Sequence, residues 1–276
     1  YRYWPADAHV IGKDISRFHA IYWPAFLMSA DLPLPKQVVV HGFLFNRGEK
    51  MSKSVGNVIS PRTLADHYGV DQLRYFFLRE VPFGQDGNYS HEAIVQRMNA
   101  DLANDLGNLA QRSLSMIAKN CEGRAPKRGE ATEADAAILD QAYDLLDAAR
   151  AAMKDFALHQ YLADVWKVVA DANRYFASEE PWKKGKTDPE RMQAILSVTI
   201  EVLRVVAILA QPVMPTAMGK MLDLLGAPAD QRDFAHLTPA FRIPEGAALP
   251  PPAPVFPRYV DPEEAAAKPA KGGKAG

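Results

Sequence analysis

From about residue 90 to residue 225 the apolar residues recur at helical spacing almost without a break, and before residue 82 they do not. This change of period constrains the fold most. It predicts helices over roughly 90–118, 133–154, 157–178, 189–211 and 215–225, with short links that make an antiparallel bundle. No strand is expected among them. Ser90, Thr132 and Asp188 read as helix caps, and Asp188-Pro189-Glu190 is a start signal. Pro212 and Pro215 end the fourth helix and set off the fifth.

The residues before this stretch alternate. Ala8 to Ile11 is a short apolar run closing at Gly12, the shape of a buried strand. Asp14 can cap a helix from about Ile15 to Ser29, in which Ile15, Phe18, Ile21, Tyr22, Ala25 and Phe26 form the apolar face. Pro24 should kink it. Gln37 to Phe45 reads as one second buried strand. Strand, helix and strand within about 40 residues imply a parallel βαβ unit. One unit makes a poor sheet alone, so further strands are expected upstream of Tyr1. A polar loop follows, then two short helices, Pro61–Tyr68 behind a Ser60 cap and Asp71–Glu80.

Charge divides the chain at the same place. Residues 1–85 carry ten Lys/Arg against seven Asp/Glu, and residues 86–276 carry 22 against 26. The expected organisation is therefore an α/β part over 1–85, a helical part over 86–238, and a tail over 239–276 with nine of the 21 prolines. Within that tail Val255, Phe256 and Tyr259 can dock on the body, and the Ala/Lys/Gly-rich end is expected to be disordered.

Composition narrows the function classes. A net charge of -1 over 276 residues excludes a globally basic nucleic-acid coat but leaves room for a local site. A lone cysteine, Cys121, allows no disulfide framework and no CxxC zinc site, which fits a reducing, cytoplasmic compartment. The longest uninterrupted apolar runs are about ten residues, short of a membrane span. The sequence opens directly on Tyr1-Arg2-Tyr3-Trp4-Pro5, with no signal-like charged and apolar stretch, and its natural start is expected upstream. No Gly-rich GKS loop is present, so a P-loop ATPase or kinase is excluded.

Three constellations can carry chemistry. In Gly48-Glu49-Lys50-Met51-Ser52-Lys53-Ser54-Val55-Gly56-Asn57, two lysines and two serines sit in a loop after a buried strand. Such a loop is an anion clamp, with compact cations on flexible stems and hydroxyls beside loop amides. A solvated hairpin tip is the alternative. Gly12 and Asp14 stand at a strand end and a helix start, where an open α/β sheet binds nucleotides; Asp14 as a simple cap is the alternative. Asn104, Asn108 and Arg112 are four apart on one helical stripe, and Trp182 follows Pro181. Amides and guanidinium read base edges and an aromatic ring stacks on them; a solvated helix face is the alternative.

Lys50-Met51-Ser52-Lys53-Ser54 matches the KMSKS signature of class I aminoacyl-tRNA synthetases. His9-Val10-Ile11-Gly12-Lys13-Asp14-Ile15, Phe18-His19, Trp23-Pro24-Ala25 and Val40-His41-Gly42 resemble the methionyl-tRNA synthetases. So do Leu73-Arg74-Tyr75-Phe76, Gln96-Arg97-Met98-Asn99-Ala100-Asp101-Leu102 and Glu180-Pro181-Trp182-Lys183, so the resemblance spans about Trp4 to Tyr259. KMSKS alone identifies the class; the ensemble identifies methionine.

The resemblance implies the C-terminal part of a Rossmann-type catalytic domain followed by an all-α anticodon-binding bundle. It implies activation of methionine with ATP and magnesium to methionyl-adenylate, and transfer to tRNA(Met). Lys50 and Lys53 would neutralise the leaving pyrophosphate, with Ser52 and Ser54 beside them. Gly12 would allow close approach of the adenylate, Asp14 would bind ribose hydroxyls, and His41 would lie beside the adenosine. Ile15 and His19 would line the methionine pocket, and Asn104, Asn108, Arg112 and Trp182 would read the CAU anticodon. The family's HIGH signature and its zinc-bearing insertion are absent from this sequence. The resemblance therefore makes this chain a C-terminal portion, expected to be inactive alone, a monomer, without membrane partners. A non-catalytic tRNA-binding module, or another class I synthetase, is the competing reading.

Overall fold

The computed structural model describes residues 3–46, 48–51 and 59–261, apart from the Lys50 side chain. The described residues group into two compact units. The first comprises residues up to Ile94 together with Asp144–Lys167; the second comprises Val95–Tyr143 and the residues from Val168 onward.

In the first unit, strands β1 (His9–Gly12) and β2 (Val38–His41) pair in parallel, with Gly12 opposite His41. Only Ile11 and Val39 of these strands are buried. The crossover between them differs from the expected single helix. Lys13–Ile15 is a 3-10 turn, Phe18–Tyr22 is a π-helical turn, and α1 (Trp23–Ser29) is α-helical. Pro24 supplies the reason, because it has no N–H to continue the ladder and sits in the first turn of α1. Asp14 lies inside the 3-10 turn and caps nothing, which corrects its reading as a helix cap. The expected apolar face is also exposed in this chain: Phe18 is 57% and Phe26 65% accessible.

The second expected strand is broken. After β2 the chain bends at Gly42 and enters a separate sheet as β3 (Leu44–Asn46). Two contacts force the bend. A side chain at Gly42 would meet the Gln85 carbonyl oxygen at 2.1 Å, so only glycine fits. The Phe43 N–H donates to Asp86 Oδ1 at 2.7 Å, and Lys13 Nζ pairs with the same carboxylate at 2.7 Å. In the new sheet β3 runs antiparallel to β4 (Glu49–Lys50) and parallel to β5 (Gly87–Tyr89). β5 corrects the expectation that no strand lies beyond residue 85. Two helices, α2 (Pro61–Tyr68) and α3 (Val70–Glu80), stand between β4 and β5, and α3 buries Leu73, Tyr75 and Phe76.

From residue 90 to residue 225 the chain is mainly helical; residues 144–167 of this stretch belong to the first unit, and 95–143 and those from 168 on to the second. Its helices start where the caps were expected. Ser90 Oγ accepts the Ala93 N–H at the head of α4 (His91–Arg97), at 3.2 Å. The chain continues as a π-helical stretch, Met98–Gly107, into α5 (Asn108–Asn120). Thr132 and Asp135 form a reciprocal capping box before α6 (Glu133–Tyr143). The helix expected over 133–154 breaks at Asp144, and its second part is α7 (Leu145–Lys154). α8 (Leu158–Glu179) is followed by the short α9 (Pro181–Thr187), which the periodicity missed. Asp188 accepts the Arg191 N–H at 3.0 Å and caps α10 (Pro189–Ala210); α11 (Pro215–Leu224) follows.

α10 is the core helix. It is long and apolar enough to cross a membrane, yet 94% of its most apolar window is buried inside the protein. It carries a buried ion pair: Glu201 and Arg204 lie one turn apart, and Arg204 Nη2 reaches Glu201 Oε1 at 2.7 Å. Arg204 also donates to the carbonyls of His236 and Thr238, and Tyr143 OH donates to Glu201 at 2.7 Å. Burial, with the Glu201 charge beside it, holds the Tyr143 phenol well above its ordinary range. The segment after α11 holds two short 3-10 turns, Phe234–His236 and Pro239–Phe241, and is otherwise irregular but packed. It pairs its backbone with residues 123–125 and buries Ile243 and Phe256.

Candidate functional site

Gly12, Asp14 and His41 come together at the carboxyl ends of β1 and β2. A Cβ placed on Gly12 would lie 2.8 Å from Asp14 Oδ1 and 3.8 Å from the His41 ring. The missing side chain thus leaves the Asp14 carboxylate and the imidazole facing one gap. Both side chains are exposed. His41 Nδ1 is 2.9 Å from the Gly42 carbonyl, which can only accept, so this nitrogen is the donor. His41 and Gly42 also edge an apolar cleft of about 450 Å³ with Phe43, Phe77, Val81 and Phe83.

Beside β1 lies an aromatic hollow of about 520 Å³, lined by His9, Phe18, His19, Tyr22, Trp23 and Phe26. Phe18 and Tyr22 meet edge to face at 5.6 Å. Trp4 braces Trp23 at 5.9 Å. His19 Nδ1 donates to the Ile15 carbonyl at 3.0 Å, which fixes its ring across the hollow, 6.0 Å from His9. His9 Nε2 is buried without a partner. Ile15 is not among the lining residues and is itself exposed. The periodicity placed Phe18, Tyr22 and Phe26 on the apolar face of a helix and did not include Trp23. The density of rings within nine residues was the signal for a cavity wall.

Lys50 ends β4, and Met51 beyond it accepts a weak contact from Tyr89 OH at 3.6 Å. Ser52, Lys53 and Ser54 lie outside the described residues, as does the Lys50 side chain. Among the described residues no three His, Cys, Asp or Glu side chains converge as metal ligands. Cys121 is half-buried and burial pushes its thiol up, away from the reactive thiolate.

In the second unit the stripe divides into two places. Asn104 is in the π-helical stretch and exposed; its Oδ1 accepts from Arg258 at 2.8 and 3.2 Å. Asn104 and Asn108 line a shallow cleft of about 380 Å³ with Gln111, Val255, Phe256 and Arg258. Arg112, one turn after Asn108, instead lies over two rings, 5.0 Å from Phe176 and 5.3 Å from Trp182. Trp182 is 46% exposed, and its ring stands 6.0 Å from Phe176. Arg112, Phe176 and Trp182 therefore make one cationic aromatic stack with a free indole surface. Sequence reasoning missed Phe176, which is indistinguishable there from the apolar stripe of α8, and Arg258, which lies in the proline-rich segment.

A family profile described as tRNA synthetases class I (M) matches residues 1–114. A second profile, the anticodon binding domain of methionyl tRNA ligase, matches residues 125–274, more than half the chain. The chain belongs to the methionyl-tRNA synthetase family. A methionine–tRNA ligase of Brucella melitensis is 67% identical over 264 residues, covering 96% of this chain and 51% of that protein. Mycobacterium tuberculosis methionyl-tRNA synthetase bound by methionyl-adenylate superposes with a TM-score of 0.89 at 57% identity, over 93% of this chain and 51% of that one. The free form of that synthetase gives 0.88 at 54% identity. This member of the family thus spans about half the length of the relatives it matches.

In this synthetase-family chain the Asp135 carboxylate is the most strongly shifted acid near the stack. Burial would raise it, but the Arg191 guanidinium, the Tyr175 hydroxyl and the Thr132 N–H together hold it at about 2. A carboxyl lowered in the folded state adds stability above its unfolded pKa and loses it as pH falls through the folded value. Wild type should therefore lose about 2 kcal/mol more than Asp135→Asn between pH 5 and pH 2. Urea unfolding at several pH values measures this; parallel curves for the two proteins would refute it.

Proposed function

We propose that this chain is the tRNA-binding and pyrophosphate-releasing portion of a cytoplasmic methionine–tRNA ligase. The observation that carries the reading is the aromatic hollow beside the Gly12, Asp14 and His41 gap at two parallel strand ends. An open α/β sheet binds nucleotides there, and we take β1 and β2 as part of a Rossmann-type sheet. The aromatic walls suit a thioether, which makes favourable contacts with ring edges. His19 would border the methionine side chain, whereas Ile15, exposed and outside the lining of the hollow, would not. Asp14 would accept hydrogen bonds from ribose hydroxyls, and Gly12 would let the adenylate approach. His41 would stand at the adenosine.

ATP enters with its magnesium as substrate. The methionine carboxylate oxygen attacks the α-phosphorus, the bond to the bridging oxygen breaks, and pyrophosphate leaves. Lys50 and Lys53, with Ser52 and Ser54, would stabilise the charge that grows on it. The methionyl group then passes to the terminal adenosine of tRNA(Met). Asn104 and Asn108 would meet base edges, and the Arg112–Trp182 stack would carry an anticodon base.

Joining this chain to the amino-terminal half of the Brucella melitensis relative provides the test. Methionine-dependent exchange of pyrophosphate into ATP is expected in the chimera and not in the 276-residue chain. Exchange supported by cysteine or leucine instead would refute methionine as the substrate. Absence of exchange in the chimera, with tRNA binding retained, would favour the non-catalytic module. In an active chimera, Trp182→Ala should reduce tRNA charging by about tenfold or more and leave exchange unchanged, as loss of one base-stacking platform requires. Equal losses in both reactions would refute its anticodon role.

A further inference from the structure

The indole of Trp182 is presented by a tight turn, closed by the Lys183 N–H on the Glu180 carbonyl at 2.9 Å and by a Lys183–Glu180 ion pair at 2.7 Å. α8 ends at Glu179, and Glu180 takes a left-handed conformation, φ 47° and ψ 52°, that non-glycine residues rarely adopt. Pro181 is buried at the first position of α9, and Trp182 follows. A backbone in that region persists only where its surroundings hold it.

The surroundings include a half-buried charge network. Arg191 lies in the first turn of α10, its N–H bound by Asp188. Its side chain donates to Glu179 Oε2 at 2.8 and 3.3 Å and to Asp135 Oδ1 at 2.8 Å. Asp135, at the start of α6, is 1% exposed and also takes the Tyr175 hydroxyl. Lys184 closes the turn from its other side by donating to the Glu179 carbonyl. One guanidinium thus ties the end of α8 to the starts of α6 and α10, one residue before the left-handed step. A planar fork with several donors holds two carboxylates in fixed geometry, which a single ammonium does less well.

We propose that Glu179 and Arg191 are positioning residues for the Trp182 platform, and that their ion pair sets the height and tilt of the indole against Phe176 and Arg112. This rests on the reading of Trp182 as a base-stacking residue. Released from Glu179, the turn relaxes toward ordinary backbone angles and the indole leaves the stack. Stacking is sensitive to such displacement, so the pair acts on base selection without touching RNA.

The experiment measures binding of the 276-residue chain to two synthetic anticodon stem-loops, one with a CAU loop and one with U in place of the C. Glu179→Gln is the informative variant, because it keeps the buried Arg191–Asp135 pair and the fold it supports. It should weaken CAU binding about tenfold and reduce discrimination between the loops, with thermal unfolding unchanged. Arg191→Lys should lose discrimination partly and Arg191→Gln wholly. On a Trp182→Ala background, Glu179→Gln should cost nothing further, because both act through one platform. Wild-type binding and discrimination by Glu179→Gln, or additive losses in the double variant, would overturn the proposal. If Trp182→Ala alone leaves CAU binding intact, the base-stacking reading itself fails, and the positioning role fails with it.

Discussion

Lys53→Ala, placed in the chimera with the amino-terminal half of a relative, should lower the rate of methionine-dependent pyrophosphate exchange by about 10²–10³-fold, equivalent to about 3–4 kcal/mol of barrier. The loss should fall on kcat more than on KM for ATP. ATP is already charged in the ground state, but negative charge on the departing pyrophosphate grows only as the bond breaks, and a cation aimed there acts on the transition state. Lys53→Arg should restore part of the rate, since it keeps charge but not the compact ammonium geometry. A variant that changes only KM for ATP would show that the Lys50–Lys53 segment binds the triphosphate without assisting its cleavage.

The largest stability effect is expected at α10. Glu201→Ala leaves the Arg204 guanidinium, 1% exposed, without its counter-charge, and removes the acceptor of the Tyr143 hydroxyl. Breaking a buried pair from one side costs about 3–5 kcal/mol, because a buried charge is left uncompensated. In a domain of this size that is a fall of roughly 10 °C or more in Tm. Glu201→Gln should cost less, since an amide still accepts from Tyr143 and Arg204. Circular dichroism on the chain and both variants measures the order; equal Tm values for Glu201→Ala and wild type would refute it. The pair also holds the carbonyls of His236 and Thr238, so Glu201→Ala should loosen the segment that follows α11.

The helical part was legible because its evidence is local. Ser90, Thr132 and Asp188 cap helices where side-chain type and position said they should, and the apolar period over 189–211 marked a helix, which the structure buries as α10. The KMSKS segment and its flanking motifs were legible for the same reason, as contiguous residues. Three features were not. The break between β2 and β3 depends on Gln85 and Asp86, more than 40 residues away, meeting Gly42 and Phe43. β5 is three residues long and exists only because β3 offers it an edge. The apolar face of residues 15–26 followed helical periodicity faithfully, yet the rings of Phe18, Tyr22, Trp23 and Phe26 line a hollow instead of a core.

For this protein, hydrophobic period, caps and contiguous motifs determined most of the helices beyond residue 90 and the family, since each depends on residues within a turn or two of one another. Tertiary structure alone decided which candidate residues meet. It placed His41 opposite Gly12 through strand register, and separated Arg112 from Asn104 by giving one the Trp182 stack and the other Arg258. It also made Arg191 the keeper of a turn in another helix pair. The reason is physical: spacing along a chain dictates which face a residue occupies, but the partner on that face is chosen by packing of segments distant in sequence.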